Sequence, residues 1–235
     1  MNRRRFCAAA VALLVAWAGL PAAAEQAVAV KYDRATLEAK WRARIQSLLD
    51  RGMVPLIDLE STIRRDRSEN DIAPALPVMD ETGVALIAFD SAQAPRDGKS
   101  PGYRWGYFVH DLANAHPDRF ILATNGGTNP NWSRQYADEQ SFLAQLEREM
   151  RRGDYAIFGE IEFRHYKSDE QCRERRDERD VDIPIDGPLG HRVFQLARET
   201  GKALVIHYEF EDRVLPALER MLAAYPDVRV VIAHF

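Results

Sequence analysis

Cysteine is scarce in this sequence, with two residues in 235, and one of them lies in the N-terminal leader described below. Cys172 is therefore alone once the leader is removed, which excludes an internal disulfide. Excess positive charge is also absent, because 32 lysines and arginines against 36 acidic residues give a net charge of −4. Without a basic surface interleaved with aromatic side chains, nucleic acid is not expected as a partner. The remaining composition, 46% apolar and 29% charged, is that of one globular domain.

Residues 1–24 have the pattern of an export signal. Arg3, Arg4 and Arg5 precede an uncharged apolar run, and a small-residue segment ends at Ala24. The apolar run is shorter than a bilayer span requires, so we expect cleavage after Ala24, and retention as a membrane anchor is the alternative. The Arg-Arg-x-Phe order also fits a twin-arginine signal, and the choice between this route and the general secretory route stays open. We predict a periplasmic or secreted protein with no stable membrane anchor after cleavage.

Apolar strand-like runs and helical runs alternate beyond a short N-terminal part. We divide the mature chain into residues 25–53, an N-terminal segment with a helix, and residues 54–235, a strand-helix domain. Strands are predicted at Val54–Leu59, Val84–Phe89, Phe120–Thr124, Tyr155–Phe163, Ala203–Tyr208 and Val228–His234. Helices are predicted over Arg34–Arg51, Asn70–Glu81, Gly106–His116, Glu139–Arg152, Leu189–Thr200 and Asp212–Ala224. The repeated unit indicates a parallel sheet with helices outside it.

Two architectures contain this alternation, an open doubly wound sheet and a (β/α) barrel. The open sheet usually carries a Gly-rich phosphate turn after its first strand, and the sequence has none after Leu59. Nearly every predicted strand ends in an ionisable or amide side chain, and the active sites of barrels lie at that end of the strands. We therefore predict an α/β fold of the TIM-type (β/α) barrel, incomplete because about six of eight strands are present.

Carboxylates and imidazoles follow four of the predicted strands. These candidates are Asp58, Glu60, Glu160, Glu162, His207 and His234. Side chains alternate faces along a strand, so the two carboxylates of each pair share a face. The two histidines end successive strand units at equivalent positions. If these faces point into the barrel, the side chains converge into a ligand set for a divalent metal ion.

Each candidate also has a structural interpretation. A carboxylate at a strand end often caps the next helix or pairs with a cation, as Glu162 would with Arg164. Buried acids need a compensating charge, so we expect a cation near Glu160. His165 is a candidate for orienting substrate, and the charged segment 164–182 is interpreted as a solvated excursion or as a lid. The Gly- and Asn-rich segment 125–132 is interpreted as a turn.

The segments around these strand ends resemble the amidohydrolase superfamily, in particular its amidohydrolase-related (amidohydrolase 2) branch. The similarity covers Val54 to Phe235 and is most specific in Gly-Lys-Ala-Leu-Val-Ile-His207 and Val-Arg-Val-Val-Ile-Ala-His234. The resemblance implies a TIM barrel in which His207 and His234 bind the catalytic metal ion. It also implies that Glu160 occupies the place of the strand-four carboxylate.

Two departures from this family pattern stand out. Asp58-Leu59-Glu60 replaces the family's His-x-His, which would favour manganese, iron or magnesium over zinc, or would remove metal binding. The sequence also ends at Phe235, so the strand-eight Asp that serves the family as ligand and proton acceptor has no counterpart. We expect either a fragment of a longer reading frame or a chain that completes its barrel with a second copy or another polypeptide.

The leading hypothesis is an exported metal-dependent hydrolase of the amidohydrolase type. Its divalent ion, Zn, Mn or Fe, would activate water against a small-molecule carbonyl substrate such as an amide, ester or lactone. The predicted ligands are Asp58, Glu60, Glu160, His207 and His234. Glu162 and His165 are the candidate catalytic residues in place of the missing Asp. Decarboxylation on the same scaffold is a close variant, and a catalytically inactive barrel that binds a small molecule is the alternative.

Overall fold

The structure is a computed structural model that describes residues 33–61, 72–90, 109, 112–124, 126–127, 132, 142–153, 155–209 and 211–234. The predicted leader, residues 1–24, lies outside the described residues, as does most of the predicted turn at 125–132. Within the described residues, no helix combines the length and the apolar character needed to cross a membrane.

The chain alternates helices and strands through most of its length. The helices are α1 Arg34–Asp50, α2 Ala75–Thr82, α3 Phe142–Arg152, α4 Asp169–Arg173, α5 Pro188–Thr200 and α6 Leu215–Ala224. The strands are β1 Leu56–Ser61, β2 Val84–Asp90, β3 Phe120–Ala123, β4 Ile161–His165, β5 Val181–Asp182, β6 Leu204–Tyr208 and β7 Val230–Ala233. A short 3-10 helix spans Asp177–Arg179. The fold is therefore mixed α/β, with a strand at each of the six predicted places.

The long strands are parallel and lie side by side in chain order. One sheet has the order β1-β2-β3, and the other has the order β5-β4-β6-β7, in which only β5 is antiparallel. Parallel bridges from Ala123 to Ile157 and from Ile157 to Ala203 connect the two sheets through the residues before β4. This sequential order is that of a barrel wall rather than of a doubly wound sheet. Among the described residues, β1 and β7 do not pair, so no closed barrel is formed.

The concave side of this wall is filled by small and branched side chains from successive strands. Leu86, Ala88, Ile121, Ala123, Val205 and Ala233 belong to one core cluster. Leu48 of α1 belongs to the same cluster and is fully buried. Trp41 of α1 donates its indole N–H to the carbonyl of Pro117, 2.9 Å away, just before β3. Helix α1 therefore covers the amino-terminal ends of the strands.

A second, larger cluster packs the opposite face of the strands against the outer helices. Phe158, Phe163 and Phe194 are fully buried there. Helix α5 contributes Phe194 and ends at Gly201, whose φ of 64° lies in the left-handed region that favours glycine. Gly83 ends α2 in the same way, with a φ of 82°.

Several predicted boundaries differ from the structure, and one short strand was not predicted. The predicted strand 155–163 pairs continuously only from Ile161, because the chain makes isolated bridges before that point. Helix α6 begins at Leu215 rather than at residue 212, since Pro216 occupies its first turn. Strand β5 was not predicted, because two residues inside a charged loop carry no periodic signal.

The charged segment after β4 exposes most of its side chains to solvent, and it contains short regular elements. Its first helix, α4, begins with a capping box in which Ser168 and Gln171 bond each other's backbone N–H groups. Beyond the 3-10 helix, β5 pairs with β4 at Arg164 and His165. We call residues 166–182 the cap segment, because it folds back over the carboxyl end of β4.

Candidate metal centre

Predicted side chains in or directly beside β4, β6 and β7 lie close together. Glu162 of β4 is paired in register with His207 of β6, and His207 is paired with Ala233 of β7. His234 follows Ala233 directly, with a positive φ of 59°. Parallel pairing therefore places Glu162, His207 and the residue after β7 at neighbouring positions on three adjacent strands.

Glu160, His207 and His234 form a compact group, which we call the primary cluster. His207 Nδ1 lies 2.6 Å from Glu160 Oε1, and His234 Nε2 lies 3.5 Å from the same oxygen. The two imidazole rings stack with their centroids 4.4 Å apart. Glu160 and His207 are buried, whereas the His234 side chain is half exposed. The group thus opens to solvent on the side of His234.

The two carboxylates of β1 behave differently from each other. Glu60 Oε1 lies 2.9 Å from His234 Nε2, which connects the first long strand of the wall to the last. Asp58 is exposed, and its carboxylate accepts the backbone N–H of Glu60 at 2.9 Å and the hydroxyl of Ser61 at 2.5 Å. The structure therefore brings Glu60 to the primary cluster but does not bring Asp58 there.

The other nitrogen of His207 faces a second carboxylate. His207 Nε2 lies 3.2 Å from Glu209 Oε1. The second oxygen of Glu209 accepts the backbone N–H of Tyr166 at 2.6 Å, which fixes the orientation of the carboxylate. Burial alone would lower the pKa of His207, but the hydrogen bonds and charges of Glu160 and Glu209 raise it above its usual value. With a carboxylate on each ring nitrogen, His207 lies in a strongly negative environment.

Arg179 of the cap segment contacts both of the predicted catalytic residues. Its Nη2 donates to Glu162 Oε1 at 2.6 Å, so Glu162 pairs with Arg179 and not with Arg164 as predicted. Arg164 pairs instead with Asp180, 2.7 Å away. The difference arises because a register irregularity separates residues 162 and 164, so they do not face the same neighbours.

His165 is oriented by the same arginine. Its Nδ1 lies 2.7 Å from the carbonyl oxygen of Arg179, and since a carbonyl only accepts, Nδ1 carries the proton. The Nε2 atom is then unprotonated, 3.5 Å from Arg179 Nη2. Burial lowers the pKa of His165, which favours this neutral form. Its ring lies 4.8 Å from that of His207, so three imidazoles stand in a row.

Asp90, at the end of β2, is a further carboxylate close to Glu160 and Glu60. Burial, reinforced by the charges of Glu160 and Glu60, raises its pKa to about 7. Burial likewise raises the pKa of Glu60, against the opposing hydrogen bond of His234. These shifts share one cause, since several carboxylates lie in a volume with little water. A bound cation would relieve this repulsion.

Two glycines make room for this arrangement. A Cβ on Gly159 would stand 2.7 Å from Asp90 Oδ1, and one on Gly126 would stand 2.5 Å from the carbonyl oxygen of Glu160. The backbone N–H of Gly159 donates to Thr124 Oγ1 at 2.9 Å, which fixes the turn that presents Glu160. Glycine is therefore required here by close packing rather than by backbone conformation.

The donor set of the primary cluster fits a divalent metal ion. Two imidazole nitrogens and one carboxylate oxygen lie within 4.8 Å of one another. Ligands of one ion at bond lengths near 2.1 Å are themselves separated by roughly 3 to 4 Å. His165, His207 and Glu209 form a second such group. The Arg179 guanidinium beside His165 Nε2 disfavours a cation in that second group, so the primary cluster is the better site.

Three contributors to this region were not predicted as site residues. Arg179 lies fourteen positions after His165 in a charged loop. Nothing in the sequence distinguishes it there from the other charged residues of the loop. Glu209 alternates with His207 along β6, and that spacing of two was the available signal. Asp90 ends a predicted strand, as the other candidates do, but has no second polar residue beside it in the sequence.

Comparison with known proteins gives a structural likeness alone. No family model and no curated protein matches the sequence. A crystal structure of 2,6-dihydroxybenzoate decarboxylase from Rhizobium matches with a TM-score of 0.45 and 10% identity, covering 77% of this chain and 66% of that chain. A structure of 2,6-dihydroxybenzoate decarboxylase complexed with 2,6-dihydroxybenzoate matches with a TM-score of 0.45 and 11% identity, covering 77% and 67%. The chain thus spans about two thirds of the length of these structures.

Proposed function

We propose that this protein is an exported metal-dependent hydrolase of the amidohydrolase type. The observation that carries the proposal is the convergence of Glu160, directly before β4, with His207 of β6 and His234 directly after β7, and with Glu60 at 2.9 Å from His234. Export rests on the sequence pattern of residues 1–24. The substrate class is a small molecule with an amide, ester or lactone carbonyl.

The primary cluster and Glu60 would hold the ion. A divalent ion there supplies Lewis acidity, which lowers the pKa of water and polarises a carbonyl oxygen. With an ion bound, Glu209 would keep the Nε2–H of His207 as its hydrogen-bond donor, and His207 Nδ1, which now faces Glu160, would give up its proton and bind the ion. Zn, Mn and Fe all accept such mixed nitrogen and oxygen ligands.

The residues beside the cluster would handle the proton. His165 has a neutral ring with an unprotonated Nε2 and lies against His207, so it is the best placed proton acceptor. Glu162 is 2% exposed and bound to Arg179, so its role is to hold that guanidinium in place. Arg179 in turn orients His165 through its backbone carbonyl. The cap segment thereby fixes the proton acceptor and excludes water from one side.

Metal analysis of the purified chain tests this proposal. We expect about one divalent ion per chain, and expect it to be lost in the double variant His207→Ala, His234→Ala. His191→Ala is the matched control, because His191 contacts Tyr225 on the outer helices, away from the cluster. Circular dichroism of each variant establishes that it is folded.

The outcome also separates the two candidate functions. Metal binding together with hydrolysis of carbonyl substrates that disappears in His165→Gln supports the hydrolase. A folded wild-type chain without metal, after dialysis against Zn, Mn and Fe in turn, contradicts it and leaves the inactive barrel that binds a small molecule.

A further inference from the structure

Arg164 of β4 is a charged side chain buried beneath the cap segment. Only 5% of the residue is exposed, and its guanidinium stays protonated inside a protein. A buried cation is stable only where anions, carbonyl oxygens or aromatic faces surround it. The contacts that stabilise this charge therefore indicate what Arg164 holds in place.

The first contacts of Arg164 lie at the carboxyl-terminal end of the cap segment. Its Nη1 donates to Asp180 Oδ1 at 2.7 Å and to the carbonyl of Val181 at 2.8 Å. These two residues directly follow Arg179, whose carbonyl accepts the Nδ1–H of His165. Arg164 therefore anchors the chain directly beside the carbonyl that orients His165.

A further contact lies at the amino-terminal end of the cap segment. The Arg164 guanidinium lies over the Tyr166 ring, with Cζ 3.5 Å from the ring centroid. The backbone N–H of Tyr166 donates to Glu209 Oε2 at 2.6 Å, and the backbone N–H of Glu209 donates to the carbonyl of Arg164 at 3.1 Å. The other oxygen of Glu209 lies 3.2 Å from His207 Nε2. Arg164 thus also holds the carboxylate that faces His207.

We propose that Arg164 is a positioning residue, which clamps both ends of the cap segment and thereby places His165 and Glu209 against His207. The guanidinium can contact Asp180 and Tyr166 together only when the cap segment is folded back over β4. Satisfying one buried charge therefore fixes both neighbours of His207 at once. This placement does not depend on the proposed hydrolase function, whereas an effect on turnover rests on that function.

Hydrogen exchange at His165 tests the carboxyl-terminal contacts. Nitrogen-15 NMR is recorded on the chain labelled at histidine, with any metal ion removed by a chelator. In the wild type we expect the Nδ1–H of His165 to exchange slowly with water, because the Arg179 carbonyl accepts it. In Arg164→Met, which removes the charge and keeps an unbranched side chain, exchange should be about tenfold faster or more. The variant His165→Gln assigns the signal by its loss.

The backbone amide of Tyr166 reports on the other end of the cap segment. Since Glu209 Oε2 accepts this N–H, Arg164→Met should also accelerate its exchange by about tenfold or more. Arg164→Lys should restore slow exchange at His165, because an ammonium can pair with Asp180. It should restore less at Tyr166, where the planar guanidinium is missing. General destabilisation would not separate the two signals in this way.

Arg192→Met is the matched control, because Arg192 forms its ion pair with Glu147 between the outer helices α3 and α5. It should leave both exchange rates as in the wild type. Unchanged exchange at both positions in Arg164→Met would overturn the proposal, as would equal acceleration by Arg192→Met. If Arg164→Met does not fold, Asp180→Ala decides, since Asp180 is half exposed and its loss should still accelerate exchange at His165.

Turnover gives a separate readout in the metal-loaded chain. Arg164→Met should lower kcat about tenfold or more and leave KM nearly unchanged, because the proton acceptor is displaced from its reacting position. Accelerated exchange in Arg164→Met, in a protein whose wild type neither binds metal nor hydrolyses carbonyl substrates, would support the positioning role and contradict only the proposed function.

Discussion

At the residue scale, the most informative side chain is His207, because each of its nitrogens has a different carboxylate. Glu160 lies on the Nδ1 side, and Glu209 lies on the Nε2 side. Only one nitrogen of a neutral imidazole can bind a metal ion, and the other then carries the proton. The burial of Glu160 and its contact with His234 make the Nδ1 side the one where the proposed ion would bind. Glu209 would then be the residue that orients the His207 ring for metal binding.

The substitution Glu209→Gln tests this assignment. We expect metal affinity to fall about tenfold, because His207 loses the carboxylate that accepts its proton and raises its basicity. Isothermal titration with Zn or Mn measures the change. Glu211→Gln serves as the control, since Glu211 lies on the same connection but contacts Arg213 instead of a ring nitrogen. Equal affinities in Glu209→Gln and wild type would show that the ion does not use His207 Nδ1.

At the element scale, a three-residue ion network attaches α1 and α2 to the sheet. Asp80 of α2 accepts from Arg119, just before β3, at 2.8 Å, and also from Arg44 of α1. Arg44 in turn donates to the carbonyl of Val84, the first residue of β2, at 3.1 Å. The hydrogen bonds of Arg119 and Arg44 lower the pKa of Asp80 to about 2. The network fixes two helices at the amino-terminal ends of the strands.

Asp80→Asn should therefore destabilise the protein in a pH-dependent way. A carboxyl group whose pKa is lowered in the fold adds stability above its unfolded pKa, 3.8, and loses it as the pH falls toward 2. We expect a loss of about 1 kcal/mol near pH 7, given the partial exposure of the carboxylate. Urea unfolding of the wild type and of Asp80→Asn between pH 7 and pH 3 measures their difference in free energy of unfolding. We expect this difference to become smaller below pH 4. If the loss in free energy of unfolding stays constant across this pH range, the network does not stabilise the protein through the Asp80 charge. The same conclusion follows if Asp80→Asn costs no more than the exposed control Asp227→Asn.

The elements were easier to predict than the contacts between them. Each of the six predicted strands overlaps a strand of the structure, because the burial of a strand produces an apolar run such as Val84–Phe89 in the sequence. The meeting of His207 and His234 followed from their equivalent positions in successive units. Arg179 was not predictable, since its contact depends on how the cap segment folds back over β4. Asp58 lies outside the primary cluster because two local hydrogen bonds hold its carboxylate. The sequence does not show whether such local bonds or metal binding would be the stronger interaction.

At the scale of the whole molecule, the primary cluster and Glu60 connect the first and last strands of an open wall. β1 and β7 each have an unpaired edge among the described residues, and Leu56 and Ile57 of β1 are exposed. Glu60 and His234 nevertheless meet at 2.9 Å across the interior. An ion shared by these side chains would therefore stabilise the curvature of the entire sheet.

Metal should accordingly raise the stability of the whole chain. An ion at about one hundred times its Kd adds about 2.7 kcal/mol to the free energy of unfolding if it binds only the folded state. Thermal unfolding of the metal-free and metal-loaded chain measures this gain. Glu60→Gln should reduce the gain, whereas Asp58→Asn should leave it unchanged, because the Asp58 carboxylate is bound locally. A larger reduction from Asp58→Asn than from Glu60→Gln would contradict the placement of these two carboxylates.

The position of α1 sets an order of events during folding. Its residue Leu48 belongs to the same buried cluster as Val205 and Ala233, which are more than 150 residues further along the chain. Helix α1 is therefore synthesised well before β6 and β7, and it can contact these strands only after they have been made. Until then it can pack only against earlier strands, whose Leu86 and Ile121 belong to the same cluster. This core should thus be completed only when β6 and β7 join the sheet.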